Sequence, residues 1–147
     1  MSLESDVRLL AGTRPFNMLP REALQLLAFS CERRELKAGQ MLFAAGEPAD
    51  GAFFLLEGEI AMAADGEERR VAMGALISET ALAVEVVRGA GAWASVDSKL
   101  LRIPRDTFRR VLGEFPQAAV KVHADASART RRFLKQLETV RARGFET

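Results

Sequence analysis

The pattern of apolar residues changes twice along the chain, and the first 35 residues form a helical part. A short helix is predicted over residues 5–10, residues 12–15 interrupt it, and a second helix follows over residues 21–29. Pro20 stands where the first residue of that helix is expected. The buried stripe of the second helix is predicted to consist of Leu24, Leu26, Leu27 and Phe29.

Between residues 34 and 103 the pattern changes to short apolar runs separated by Gly, Pro and Asp. Turns at this frequency predict a compact β-barrel or β-roll. The pair Asp65-Gly66 is the expected hairpin turn between strands over residues 59–64 and 69–73. Two further strands are predicted around the Asp97-Ser98 turn, over residues 92–96 and 99–103.

Helical spacing returns after the last predicted strand. Asp106 is expected to cap a helix that ends at Leu112, residues 113–116 break the pattern, and a long helix is predicted from about residue 116 to residue 142. The apolar stripe of the long helix consists of Ala119, Val122, Ala126, Phe133, Leu137 and Val140, with Arg129 or Thr130 interrupting it.

The composition indicates one soluble domain and gives no support for an obligatory nucleic-acid or membrane partner. The chain has 147 residues, of which 48% are hydrophobic and 28% charged, and this is typical of one soluble domain. A net charge of +1 gives no global field that would favour nucleic acid or a membrane surface as an obligatory partner. The basic residues of the last helix are interpreted as a solvated face.

The scarcity of metal-binding and nucleophilic residues argues against an enzyme. Cys31 is the only cysteine and His123 the only histidine, so an intramolecular disulfide is excluded and no metal site is expected. A metal-dependent β-roll enzyme needs a cluster of His and acidic ligands, and the predicted roll contains no histidine. No apolar run reaches the roughly 18 to 20 residues that span a bilayer, and a cytoplasmic protein is predicted.

The segment from Gly74 to Leu82, followed by Arg88, carries the most specific chemistry. The carboxylate of Glu79 is a good acceptor for a ribose hydroxyl, and the forked guanidinium of Arg88 suits a phosphate. A short helix between them would direct backbone N–H groups at an anion. The segment therefore predicts a pocket for a cyclic phosphodiester.

The glycine punctuation of the predicted roll has a familiar order. It includes the segments over residues 36–50 and 53–60, which contain Gly39, Gly46 and Gly58 at expected corners. With the flanking helices and the Glu-to-Arg segment, the chain resembles the cyclic-nucleotide-binding domain over residues 16–140. That domain occurs in catabolite-activator-type regulators, regulatory subunits of protein kinase A and nucleotide-gated channels.

The resemblance implies a mainly β protein with flanking helices (α+β). The expected fold is a double-stranded β-helix, or jelly-roll-like β-roll, with N-terminal helices and a long C-terminal helix. The chain is expected to form one domain over residues 1–147, with a core at about 16–115 and the long helix at about 116–142. No DNA-binding domain is expected within it.

The resemblance also implies roles for particular residues. Glu79 would accept a hydrogen bond from the ribose 2′-hydroxyl, and Arg88 would pair with the equatorial phosphate oxygens. Thr80 and Ala81 would offer backbone N–H groups. The implied ligand-binding residues are Ser78, Glu79, Thr80, Ala81, Arg88, Gly89, Ala90, Phe133 and Leu134.

Three departures from the family pattern bear on the ligand. Ser78 replaces the glycine that normally precedes the glutamate, which places a Cβ where the backbone approaches phosphate. Gly89 lacks a hydroxyl that often favours guanine, so cyclic AMP is favoured over cyclic GMP. Phe133 and Leu134 occupy the places of two hydroxyl residues that contact adenine. They either cover the purine face or serve as packing residues or as a dimer seam.

The predicted function is a nonenzymatic sensor that binds a cyclic nucleotide, with cyclic AMP favoured, and couples occupancy to the position of the long helix. The apolar stripe of that helix predicts a homodimer. The effector is unknown: it is either a separate partner or a domain missing from this chain. The alternative is a ligand-free domain of the same fold that serves dimerisation or docking, in which Glu79 is solvated and Arg88 makes a local salt bridge.

Overall fold

The computed structural model describes residues 2–145, with side chains through residue 139, and begins with two helices and a short turn. Helix α1 (Leu3–Leu10) is closed at its start by Ser2, whose hydroxyl accepts from the N–H of Ser5 in a capping box. A 3₁₀ turn (Phe16–Met18) leads to α2 (Arg21–Ser30). Both predicted helices are present.

Two details of α2 differ from the prediction. Pro20 is the N-cap residue rather than the first helical residue. Phe29 does not belong to the buried stripe, because 79% of its surface is exposed. At about 100° per residue Phe29 lies about 140° around the helix from Leu24, so the two cannot share one narrow face. The buried face consists of Ala23, Leu24, Leu27 and Ala28.

The middle of the chain forms ten antiparallel strands in three sheets. Their bounds are β1 (Glu32–Leu36), β2 (Met41–Phe43), β3 (Pro48–Ala49), β4 (Gly51–Glu57), β5 (Glu59–Ala64), β6 (Glu67–Ala72), β7 (Leu76–Ile77), β8 (Val86–Val87), β9 (Gly91–Ala94) and β10 (Ser98–Pro104). The sheet orders are β1-β10-β4-β7, β2-β9-β5-β6 and β3-β8. This architecture confirms the predicted β-roll.

The hairpin between β5 and β6 turns at the predicted pair. Asp65 and Gly66 have φ values of 52° and 80°, and the strands pair directly from Ala64 opposite Glu67. Two successive positive φ values match the right-handed twist of the strands, and Asp-Gly is a favoured sequence for such a turn. Strand β6 begins at Glu67, two residues before the predicted start at residue 69.

Strand β4 separates two hydrophobic cores. Ala52, Phe54 and Leu56 point to a core shared with the helices, whereas Phe53 and Leu55 point into the interior of the roll. Because successive side chains of a strand face opposite sides, a strand covered on both faces becomes apolar throughout. The inner core holds the side chains beneath the candidate site.

Two helices follow the roll, α3 (Arg105–Glu114) and α4 (Pro116–Phe145). The predicted cap at Asp106 is wrong, because Pro104 is the N-cap residue and Asp106 lies in the first turn. There its negative charge complements the helix dipole without capping the helix. The fold class is confirmed: antiparallel sheets are flanked by N-terminal helices and a long C-terminal helix.

The apolar packing of α4 against the body of the domain lies at the start of the helix. Ala118 is buried, and Ala119 and Val122 pack against the helical core. Farther along the helix, the side chains of Phe133, Leu134 and Leu137 are exposed. The side chain of Val140, the last member of the predicted stripe, lies outside the described residues. The distal part of α4 thus presents apolar side chains to solvent.

Candidate functional site

The candidate site is built on a short segment between β7 and β8. Ser78 follows β7 as the N-cap residue, with φ 66° and ψ 45°, of a 3₁₀ helix at Glu79–Leu82, which we call the cassette helix. The left-handed conformation crowds any Cβ and costs an L-residue about 1–2 kcal/mol. The structure therefore gives a physical reason for the family's glycine at this position, and Ser78 carries that strain.

The carboxylate of Glu79 is held by the long helix. Nη1 and Nη2 of Arg129 donate to Oε1 and Oε2 of Glu79 at 2.7 and 2.9 Å. This two-point hydrogen bond to Glu79 is the main reason that the pKa of Arg129 is raised. Glu79 is therefore not a solvated acid. Arg129 fastens α4 to the cassette helix.

Arg88 is turned into the roll instead of out to solvent. Only 6% of its surface is exposed, and its guanidinium carbon lies 4.4 Å from the ring centre of Phe43 and 5.3 Å from that of Phe53. Its Nη1 is buried and has no hydrogen-bond partner among the described residues. A buried donor without a partner is costly, so this atom is a ready donor for an anion.

The electrostatic surroundings of Arg88 favour an added negative charge. Burial lowers the pKa of its guanidinium, whereas the nearby carboxylates of Asp50 and Glu47 act to raise it and Arg102 acts to lower it. The burial effect is the largest of these. An anion in contact with the guanidinium would relieve this penalty, because it stabilises the charged form directly.

The backbone around Arg88 is clamped to the preceding corner of the roll. The N–H of Arg88 donates to Glu47 O at 2.7 Å, and the N–H of Gly46 donates to Arg88 O at 2.7 Å. Beyond the clamp, Gly89 is exposed and Ala90 is half-buried. A Cβ added at Gly89 would meet no heavy atom within 4 Å, so the position has room for a side chain.

The backbone N–H groups of Thr80 and Ala81, both expected to be offered to a ligand, differ in their surroundings. Thr80 is exposed. Ala81 is fully buried, and its N–H donates to Ser78 O at 3.0 Å inside the turn. The N–H of Ala81 is thus already engaged within the helix.

Two arginines of α3 hold the C-terminal end of the cassette helix. Arg105 is buried and donates from Nε to Ala81 O at 2.8 Å and from Nη2 to Ala49 O at 2.6 Å. Arg109, one turn later, donates to Ala83 O at 2.9 Å. Ala49 lies on β3, which pairs with β8 immediately before Arg88. Arg105 therefore links the helix that begins at Glu79 to the strand pair that presents Arg88.

Phe133 and Leu134 lie farther along α4 than the contact with Glu79. Their surfaces are 59% and 53% exposed. Phe133 follows Arg129 by one helical turn and shares its face of the helix, about 6 Å along the axis. The structure thus brings the cassette residues together with Arg129 and leaves the two purine-contact candidates open to solvent.

The residues that hold the site were not predicted from the sequence. From the sequence, Arg129 is interpreted as part of the solvated basic face of the last helix and as an interruption of its apolar stripe, whereas in the structure it pairs with Glu79. No role is predicted for Arg105. A charged residue at a stripe position, with apolar residues three before and four after it, was the available signal for Arg129. Arg105 had no such signal, because its contacts are to backbone carbonyls distant in sequence.

Two surface grooves lie away from the cassette. One, of about 340 Å³, lies between α3 and α4 and is lined mainly by apolar residues with Arg109 and His123. The other, of about 330 Å³, lies between α1 and α2. Across residues 2–145 no cluster of three or more His, Cys, Asp or Glu side chains could hold a metal, and no helix is long and apolar enough to cross a bilayer. The charged cassette remains the candidate site.

Comparison with known proteins agrees with this geometry. The family model for the cyclic nucleotide-binding domain matches residues 33–115, and the chain belongs to that family. A cyclic nucleotide-binding-like protein from Brucella abortus superposes with a TM-score of 0.68 at 38% identity, over 74% of this chain and 97% of its own. This family is regulatory.

Two further relatives differ in their context. The regulatory domain of Toxoplasma gondii PKA, crystallised with cAMP, superposes with a TM-score of 0.67 at 25% identity, over 74% of this chain and 44% of its own. Lysophospholipase NTE1 of Chaetomium globosum is 25% identical over 140 residues, or 91% of this chain. The chain spans only 9% of that relative's length.

Proposed function

We propose that this domain is a nonenzymatic sensor that binds a cyclic nucleotide, cyclic AMP in preference to cyclic GMP. The observation that carries the proposal is the buried Nη1 of Arg88, which has no hydrogen-bond partner within the described part of the chain, together with a cassette helix that starts with Glu79. Because a lone buried guanidinium donor is unfavourable, a phosphate oxygen is the partner that would satisfy it best. The proposal implies that the protein lies in the cytoplasm, because cyclic nucleotides are made there.

The phosphate is assigned to Arg88 with support from the residues around it. Phe43 and Phe53 hold the guanidinium by stacking, and the clamp to Gly46 and Glu47 limits movement of its backbone. Preorganisation of this kind reduces the entropy that a ligand must remove on binding. Ser78, Thr80, Gly89 and Ala90 lie in the same two segments and would line the phosphate, whereas Ala81 is buried beneath them with its N–H engaged.

The ribose is assigned to Glu79, where it must compete with Arg129. The 2′-hydroxyl would donate to a carboxylate that already accepts two hydrogen bonds from α4. When the ligand takes over Glu79, α4 loses its fastening to the cassette helix and can change position. Phe133 and Leu134 then cover the purine, and stacking on the aromatic ring of Phe133 contributes about 1–3 kcal/mol. The ligand thereby favours one position of α4 over another.

The preference for adenine rests on Gly89 and on one comparison. Gly89 offers no hydroxyl to a guanine base, and the Toxoplasma domain at 25% identity was crystallised with cAMP. The output is assigned to α4, whose exposed Phe133 and Leu137 would form the seam of a homodimer. The signal then passes to an effector, either a separate protein or another part of a longer chain.

Calorimetric titration of the purified domain with cyclic AMP and cyclic GMP tests the proposal. Cyclic AMP is expected to bind more tightly than cyclic GMP. Arg88→Met, which keeps the apolar contact with the rings, should weaken binding at least about tenfold, because it removes a charge-assisted partner. Glu79→Gln should weaken binding less. Arg131→Met, an exposed arginine of α4, is the matched control and should leave affinity unchanged.

A folded sample that binds neither nucleotide at about 1 mM, equivalent to about 4 kcal/mol, would overturn the sensor proposal. The alternative, a ligand-free docking or dimerisation module, is favoured only by the apolar residues exposed on α4. Binding that survives Arg88→Met and Glu79→Gln unchanged would instead overturn the assigned site. Sedimentation of the wild type and of Leu137→Gln would then test the dimer separately.

A further inference from the structure

Four charged side chains of alternating sign form a chain from the candidate site to the N-terminal part of the domain. Arg129 holds Glu79 at 2.7 and 2.9 Å, and Nη1 of Arg129 lies 3.7 Å from Oδ2 of Asp125. The other oxygen of Asp125 accepts from Nη2 of Arg14 at 2.6 Å. Arg14 lies between α1 and the 3₁₀ turn.

Asp125 is the pivot of this charge chain. It is the least exposed of the four, with 15% of its side chain accessible, and it lies four residues before Arg129 on the same face of α4. Its hydrogen bond goes to Arg14, which leaves the fork of Arg129 to Glu79. A guanidinium released from Glu79 needs to move by only about 1 Å to hydrogen-bond Asp125. It would then bind the second oxygen of Asp125 and weaken the hold of that carboxylate on Arg14, because two guanidinium groups would share one negative charge.

The N-terminal segment is attached to the site region by a second contact as well. Thr13, beside Arg14, donates from its hydroxyl to Gly74 O at 3.0 Å, in the loop that leads to β7. Three amides of the segment report on its order. Asn17 donates to Thr13 O, Met18 to Pro15 O and Leu19 to Phe16 O, at 3.0 to 3.1 Å. Loosening of Arg14 should therefore be visible in hydrogen exchange of these amides.

We propose that Asp125 is a positioning residue that couples the N-terminal segment at residues 13–19 to the pairing state of Glu79. While Glu79 holds Arg129, Asp125 holds Arg14 and the segment is closed against α4. When Glu79 loses Arg129, the guanidinium turns to the second oxygen of Asp125 and Arg14 is held less tightly. The ligand part of this coupling rests on the proposed function, whereas the coupling between these side chains can be measured without ligand.

Hydrogen exchange of the ligand-free protein, read at Asn17, Met18 and Leu19, tests the coupling. Glu79→Gln should raise exchange there by about two- to fivefold, since exposed ion pairs are individually weak. In the Asp125→Asn background the same change should have no further effect. Glu68→Gln, which removes the acid paired with Arg70 on the β5-β6 hairpin, is the matched control and should change nothing at the segment.

The outcomes are distinct. An unchanged segment in Glu79→Gln, or an equal response in the Asp125→Asn background, would overturn the coupling. If Asp125→Asn does not fold, as judged by circular dichroism, Arg14→Gln takes its place. This variant removes the other partner of the same contact and is combined with Glu79→Gln in the same way. If Asp125 only stabilised the segment, Asp125→Asn would raise hydrogen exchange there. Adding Glu79→Gln would then raise the exchange further.

Cyclic AMP added to the wild type provides the second arm. If it binds, exchange at the three amides should rise in the wild type and not in Asp125→Asn. A nucleotide that binds without this response would overturn the ligand part of the coupling while the sensor proposal stands. A protein that binds no nucleotide but responds to Glu79→Gln would leave the coupling intact and overturn the sensor proposal instead.

Discussion

Glu79 and Arg129, fifty residues apart in the chain, are joined by two hydrogen bonds of 2.7 and 2.9 Å. This ion pair attaches the start of the cassette helix to the long C-terminal helix. Glu79, which is expected to bind ribose, is therefore bonded directly to α4, the helix that is expected to move when the ligand binds. A change at either residue should therefore affect the other.

The pair should show measurable coupling in a double-mutant cycle. We expect Glu79→Gln and Arg129→Gln each to lower the free energy of unfolding in urea, with a coupling of about 0.5–1 kcal/mol, because both side chains are partly exposed. The cycle of Glu57→Gln and Lys99→Gln, a single-contact surface pair at 3.6 Å, is the control and should couple less. Additive effects at positions 79 and 129 would contradict the prediction.

Ser78→Gly should stabilise the protein. A serine at φ 66° pays a steric cost that glycine does not, and this outweighs the greater flexibility of glycine when unfolded. The free energy of unfolding should rise by about 0.5–1 kcal/mol. The same substitution in the middle of α4, Ser127→Gly, should lower it, because glycine disfavours a helix. A loss of stability in Ser78→Gly would refute the strain argument.

Removal of the Ser78 Cβ should also affect ligand binding. If the Cβ limits the approach of phosphate to the backbone, Ser78→Gly should bind cyclic AMP more tightly than the wild type, as measured by calorimetry. Ser127→Gly serves again as the comparison and should keep the wild-type affinity. Weaker binding by Ser78→Gly would show that the serine hydroxyl is a ligand contact rather than an obstruction.

Gly89→Ser should shift selectivity toward cyclic GMP. A Cβ at this position meets no heavy atom within 4 Å, so the side chain can be accommodated, and its hydroxyl can hydrogen-bond a guanine base. The ratio of cyclic GMP to cyclic AMP affinity should rise by about three- to tenfold. Gly113→Ser, equally unobstructed but located on α3, should leave that ratio unchanged. An unchanged ratio in Gly89→Ser would place the base elsewhere.

We expect the protein to lose stability in alkaline solution because of the buried thiol of Cys31. Burial raises the pKa of its thiol from 9.0 to about 12, with Arg102 acting in the opposite direction. The folded protein therefore retains the proton after the unfolded chain has released it. This contribution to stability is full below about pH 9 and is lost progressively as the pH rises toward about 12. Unfolding in urea at about pH 8 and about pH 10.5 should show a smaller loss for Cys31→Ala than for the wild type.

The roll could be predicted because its signals are local. The Asp65-Gly66 turn and the corner glycines depend on the φ values of single residues, and φ is positive at Gly39, Gly46 and Gly58 as expected. At Gly58 a Cβ would also lie 2.2 Å from the Ser98 hydroxyl. Errors arose where position around an element decides burial, as for Phe29, or where the adjoining strand sets a helix start, as for Asp106.

The sequence by itself determined the class of fold, because turn chemistry and strand alternation are local properties, and it predicted Glu79 and Arg88 as the centre of a site from their order along the chain. Only the tertiary structure decided what surrounds those side chains. Phe43 and Phe53 meet Arg88 because strands from different parts of the chain share one interior. Arg129 meets Glu79 because α4, which packs on α3, carries Arg129 to within hydrogen-bond distance of the cassette helix. Contacts over such separations depend on how helices and sheets pack, and packing leaves no fixed spacing in the sequence.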